Sequence, residues 1–262
     1  MPMTAMIRNL GNMSKVGLLV PLSEAERLVV QRLSNKERLF QAKIHPIALL
    51  AALTTYAQGH GVVGKGNWDV ATRVVDALND AFYLSFGNVQ ATNKRLILAI
   101  DVSDSMTAGQ VSGVAGLTPN KAAAAMSLVT ANVEPNYAIM GFSDEFRDLG
   151  ISPKQRLDDV SKRLHDSSFG QTDCALPMLW AGMKGIKADA FIVYTDGETW
   201  RGEIHPCQAL WAYRDKTGIP AKLIVVAMTS AGFTIADPED AGMLDCVGFD
   251  TATPNIISDF TA

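Results

Sequence analysis

Several features are scarce in this chain of 262 residues, and each scarcity removes a class of protein. No apolar run reaches the roughly 18 residues that a membrane-crossing helix needs, and the N-terminus lacks the basic-then-apolar pattern of a secretory leader. No membrane association is therefore expected, and a cytoplasmic location is. There are three cysteines, Cys174, Cys207 and Cys246, odd in number and far apart. They suit reduced, buried thiols better than a disulfide framework or a zinc site. The four histidines, His45, His60, His165 and His205, have no nucleophile-like setting and read as surface or helix-end residues, so hydrolysis through a serine lacks a base. The few Trp and Tyr residues fall at helical spacing and read as core.

What is present is an ordinary globular composition, 48% hydrophobic and 19% charged. The net charge of -4 conceals an asymmetry. Residues 1–95 hold eleven Lys and Arg against six Asp and Glu, an excess of +5, while residues 96–262 hold twelve against twenty-one, a balance of -9. A basic segment is joined to an acidic one.

The basic segment reads as helices. Ser23 followed by Glu26 has the form of a capping box opening a run through Leu28, Val29 and Leu33. Residues 45–58 form a second helix, and Asn67 or Asp69 starts a third through Val70, Val74, Leu78, Ala81 and Phe82. Short helices in succession suggest stacked helical hairpins. The pattern changes at Lys94, giving expected domains of 1–93 and 94–262. Residues 96–100 are a continuous apolar run of the length of a strand buried on both faces, and similar runs follow at 137–142, 190–194 and 223–228. Helical candidates lie between them at 120–133, 157–165, 175–183 and 206–216. The expectation is an α/β domain, a doubly wound, mainly parallel sheet of Rossmann-like type, preceded by a small all-α segment of helical repeats.

Ligands of such sheets sit beyond the carboxyl ends of the strands. There Asp101, Ser103 and Ser105 place three small oxygen-bearing side chains at alternate positions, a later loop adds Thr172, and Asp196 ends another buried strand. Hydroxyl and carboxylate oxygens are hard ligands that suit magnesium or manganese better than zinc. Residues 59–65 imitate a phosphate-binding loop, but Gly66 stands where Ser or Thr is required and a helix precedes it, so a helix stop is the better account.

Asp-x-Ser-x-Ser, the Thr of Gly-Gln-Thr-Asp and the later Thr-Asp-Gly together resemble the metal-ion-dependent adhesion site of von Willebrand factor A domains, with all five positions filled. The resemblance implies that Ser103, Ser105 and Thr172 ligate the cation directly, that Asp101 and Asp196 do so directly or through water, and that one position stays open for water or an acidic group of a partner. Asp104 departs from the small residue usual between the serines. The stretch 172–178, with Phe82-Tyr83, Lys94-Arg95, Pro2 to Ala5, Arg8 to Gly11, His45-Pro46 and Thr55-Tyr56, is similar to the Ro autoantigen (TROVE) family, which joins a ring of HEAT-like helical repeats to an A domain. That resemblance implies several hundred further residues before this start in a complete member, and a non-catalytic ribonucleoprotein scaffold that handles small non-coding or single-stranded RNA.

Arg8, Lys15, Arg27, Arg32, Lys36, Arg38, Lys43 and Lys65 are the cations expected to meet phosphates. The alternative is a metal-dependent protein-interaction module without RNA. Met1, Met3, Met6, Ile7 and Leu10 are expected to expose apolar surface at the first helix, through which several copies would complete a homo-oligomeric ring; the alternative is a monomer whose helices fold back on the A domain.

Overall fold

A computed structural model describes residues 1–61, 66–167, 170–197, 202–229, 235–249 and 252–262. The chain divides into two compact units, Met1–Gln90 with Val114–Leu117, and Ala91–Gly113 with Thr118–Ala262.

The first unit is helical: α1 (Met3–Arg8), α2 (Leu10–Lys15), α3 (Glu24–Leu33), α4 (Lys36–Gln41), α5 (Pro46–Ala57) and α6 (Thr72–Leu84), followed by a 3-10 turn at Ser85–Asn88. Local chemistry sets the boundaries. The Ser23 hydroxyl accepts from Glu26 N at 3.1 Å, as the capping box requires, but the Glu26 carboxylate takes the Leu22 N–H at 3.1 Å instead of that of Ser23. Leu22, held at φ 68°, is 92% exposed. His45 caps α5 through Nδ1, which accepts from Ile47 N, and Pro46 occupies the first turn, where its missing N–H costs nothing. The third helix starts at Thr72, later than its periodicity suggested, because Trp68 is drawn to Tyr56: the rings stack at 6.2 Å and the indole N–H donates to the Tyr56 carbonyl at 3.0 Å. The Tyr56 hydroxyl shares a hydrogen bond with Ser14 at 2.7 Å and accepts from Ala71 N at 3.1 Å.

The first helix corrects one expectation. Met3, Met6, Ile7 and Leu10 are all buried in this unit, and only Met1 is exposed. The surface expected to drive assembly is therefore interior, packed in part against α5, and the Arg32 guanidinium donates to the Met1 carbonyl at 2.8 Å. The helix before residues 59–65 is confirmed, while Val62 to Lys65 lie outside the described residues.

In the second unit the described residues form a sheet of order β3-β2-β1-β4-β5-β6, with β1 (Leu96–Asp101), β2 (Tyr137–Phe142), β3 (Phe146–Asp148), β4 (Ala190–Thr195), β5 (Lys222–Ala227) and β6 (Met243–Val247). All pairings are parallel except β2 with β3. The helices are α7 (Pro119–Val133), α8 (Leu157–Asp166), α9 (Leu176–Lys184), α10 (Pro206–Thr217) and α11 (Thr253–Thr261). Every residue of β1 and β4 is buried, which is why both read as unbroken apolar runs. Ile97, Ala99, Phe191, Val193, Leu223 and Val225 alternate onto one face and pack with Met178 and Ala181 of α9 and Leu210 and Tyr213 of α10. The opposite face meets α7, whose run of alanines lets it lie close to β1 and β4. The Tyr213 hydroxyl accepts from Ala188 N at 2.7 Å and donates to the Ile186 carbonyl at 2.8 Å, tying α10 to the turn that leads into β4.

Candidate metal centre

From β1 the chain crosses to β2 on one side, whereas β4 lies on β1's other flank, so the sheet changes winding direction between β1 and β4. Loops leaving the carboxyl ends of two such strands diverge and open a crevice. Asp101 closes β1 at that crevice and Asp196 follows β4.

Asp101 is fully buried and is the centre of the site. Its Oδ1 accepts from Ser103 N at 2.9 Å, and its Oδ2 accepts from the Thr195 hydroxyl at 2.8 Å. The Thr172 hydroxyl lies 3.4 and 3.3 Å from the two carboxylate oxygens, and the Ser103 and Ser105 hydroxyls are 3.0 Å apart. Asp196 is 4% exposed, and its backbone carbonyl accepts from the Thr229 hydroxyl. The structure gathers Asp101, Ser103, Ser105 and Thr172 within reach of one another, and the charge of Asp196 acts on Asp101 as well. Thr195 is a site residue that sequence reasoning passed over; its signal was a hydroxyl directed to the centre from the end of a buried strand.

Burial pushes the Asp101 carboxyl up to about 6, and the like charge of Asp196 adds to the rise, against hydrogen bonds from Ser103 and Thr195 that favour the ionised form. An acid held this way, among the hydroxyls of Ser103, Ser105, Thr172 and Thr195 and beside a second buried carboxylate, has the donor chemistry of a hard divalent cation, so the residues fit magnesium or manganese. Among the described residues no three His, Cys, Asp or Glu side chains cluster as a metal site, so a cation here depends on hydroxyls as much as on carboxylates.

The loop carrying Thr172 is anchored at the residue that follows it. Asp173 N donates to the Ser143 carbonyl at 2.9 Å, and the Asp173 carboxylate accepts from Ala175 N at 2.9 Å at the start of α9. Gly170 has φ +62°, and a Cβ there would come within 2.2 Å of the Asp144 carboxylate, so both the backbone and the space demand glycine. Phe169 lies outside the described residues.

Of the cysteines, Cys174 is buried and its thiol is pushed far up by burial and by Asp101, Asp173 and Asp196, whereas Cys207 and Cys246 are half-buried, contrary to the expectation for all three. Cys207 Sγ lies 3.0 Å from His205 Nδ1, a pairing not foreseen, but burial and Asp237 raise its thiol away from the thiolate form. Trp211 departs from the core reading: it is 41% exposed, with its indole N–H on Asp240.

The basic residues are spread over the helical unit. Arg8, Lys15, Arg27, Lys36, Arg38 and Lys43 are exposed, with Arg27 3.7 Å from Glu24. Arg32 is half-buried and engaged with the Met1 carbonyl, which removes it from the surface set. Lys65 lies outside the described residues.

The Ro60 vWA domain family matches residues 95–261, and the TROVE domain family matches residues 1–58. The chain is 51% identical to the RNA-binding protein RO60 of Deinococcus radiodurans over 98% of its length, and 44% identical to that of Caenorhabditis elegans over 99%. It covers 49% and 40% of these relatives, about half their length or less. The crystal structure of the Deinococcus radiodurans RO (RSR) protein superposes with a TM-score of 0.94 at 51% identity, over 98% of this chain and 52% of that one. No helix among the described residues is long and apolar enough to cross a membrane.

Proposed function

The chain belongs to the Ro60 family, and from that premise we propose that it is a non-catalytic RNA-binding scaffold whose second unit holds a divalent-cation adhesion site. The observation that carries the RNA reading is the similarity of nearly the whole of this chain to about half, or less, of proteins named for RNA binding. The exposed cations of the first 95 residues, which carry an excess of five positive charges, support it. Small non-coding or single-stranded RNA is the partner, held first through phosphates, so affinity falls with salt.

Filter binding of the full chain at low salt tests this. Binding that weakens as salt rises, and weakens further on charge reversal at Lys36 and Arg38, is expected; no affinity for either single-stranded or structured RNA overturns it.

A second reading is favoured by the convergence of Asp101, Ser103, Ser105 and Thr172: the A unit recruits an acidic protein group to a magnesium or manganese ion. When bound, the ion supplies a Lewis-acidic point that accepts a carboxylate oxygen. This chain's residues hold the site in shape, Thr195 and the Ser103 N–H orienting the Asp101 carboxylate. Pull-down profiles that are identical with and without chelator refute that role.

A further inference from the structure

We propose that the helical unit carries a subsite for one unpaired nucleobase of single-stranded RNA, in the cavity between α4 and the 3-10 turn Ser85–Asn88, with Phe40 as the stacking platform and Lys36 meeting the adjoining phosphate. The proposal rests on the RNA-binding reading above and gives it a place and a chemistry.

The cavity measures about 450 Å³ and is lined by Lys36, Glu37, Phe40, Gln41, Gly87 and Asn88. That is within the range of small-molecule sites, roughly 300 to 1,000 Å³. Phe40 is 63% exposed although its neighbour Leu39 is fully buried. On a helix consecutive side chains point about 100° apart, so burying Leu39 turns Phe40 outward. A large flat apolar ring facing solvent beside a cation is the arrangement on which bases stack.

Hydrogen bonds hold the walls. The Asn88 side-chain amide donates to the Leu39 carbonyl at 3.1 Å and to the Ile44 carbonyl at 2.7 Å, which clamps the end of α4 and the turn after it onto the 3-10 turn. Gly87 opens the floor: a Cβ there would meet nothing within 4 Å, so a larger side chain would enter the cavity rather than the core.

Charge selects the occupant. Lys36, Arg38 and Lys43, all exposed, lie within eight residues of one another, against Glu37 alone. A polyanion with flat aromatic faces matches this surface. Glu37 offers an acceptor to the N–H edge of a base, and Gln41 adds a donor and an acceptor.

The test is fluorescence anisotropy on the full chain with two labelled oligonucleotides of equal length, one with ordinary bases and one abasic but with the same phosphates. Tighter binding of the base-carrying strand is expected. Phe40→Ala should weaken it by roughly 5- to 150-fold, the span of base-aromatic stacking, and leave the abasic strand unchanged. Gly87→Leu should act in the same direction by filling the cavity, and since both positions face solvent the variants should melt like the parent. Lys36→Gln should weaken both strands and reduce the salt slope by about 0.7. Equal affinity for the two strands, or full affinity in Phe40→Ala and Gly87→Leu, overturns the subsite and leaves RNA binding intact. Binding of neither strand overturns the RNA reading and the subsite with it.

Discussion

Replacing His45 with Asn should make the protein less sensitive to mild acid. His45 accepts the Ile47 N–H through Nδ1, so the proton of the neutral ring sits on Nε2, which is buried with no hydrogen-bond partner among the described residues. Burial lowers its pKa from 6.5 to about 4. The sign follows from linkage: the unfolded chain takes up a proton below pH 6.5 and the folded one does not until about pH 4, so stability is full above 6.5 and declines as pH falls towards 4. The limiting loss is about 3 kcal/mol, of which about 2 kcal/mol falls between pH 7 and pH 5. Asp101 slopes the opposite way, since an acid raised to about 6 gains a proton on folding in that interval, so the parent's pH dependence is a sum. The difference between parent and His45→Asn isolates the imidazole, because Asn keeps an N-cap acceptor and does not titrate. Urea unfolding at pH 5, 6 and 7, read by hydrogen exchange in α5, should show the variant gaining about 2 kcal/mol on the parent at pH 5. Parallel stability curves, or an imidazole resonance titrating near 6.5, would refute the reasoning.

Three further outcomes are expected. Magnesium or manganese at a hundredfold excess over its dissociation constant should stabilise the protein by about 2.7 kcal/mol in thermal melts, and Asp101→Ala should abolish the response; melts unmoved by either ion at millimolar concentration would remove the cation site. Gly170→Ala should cost about 1 to 3 kcal/mol, read by chemical denaturation, since it places a side chain at φ +62° against the Asp144 carboxylate. Tyr213→Phe should cost about 1 to 3 kcal/mol in the same assay by leaving the Ala188 N–H and the Ile186 carbonyl without their shared hydroxyl.

The sheet was largely legible because its central strands are buried on both faces, so Leu96 to Ile100 and Ala190 to Tyr194 are unbroken apolar runs of strand length, rich in β-branched and aromatic residues. Its margins were not. Phe146–Asp148 is too short to show any period, and Met243–Val247 interrupts its apolar residues with Asp245 on a half-buried edge. The helix Thr253–Thr261 follows directly on such a margin and was missed with it. Asp101, Ser103, Ser105 and Thr172 lie together because the loop after β1 and the segment before α9 meet at one end of the sheet. Contacts made by distant residues left no local mark. The burial of Met3 and Met6, the turn of Glu26 towards Leu22 and the outward face of Phe40 each depend on what the rest of the helical unit presents.

The hydroxyl of Tyr56 bears on how that unit comes together in time. It joins Ser14, 42 residues earlier in the chain, to Ala71, 15 residues later, through one buried oxygen. In an array of repeats each unit needs only its neighbour, and folding can start anywhere and spread. Here one buried hydroxyl ties the opening helices to a segment far along the chain, and contacts so distant in sequence slow folding. Folding of this segment should be a single all-or-none event, slower than its short helices alone would suggest.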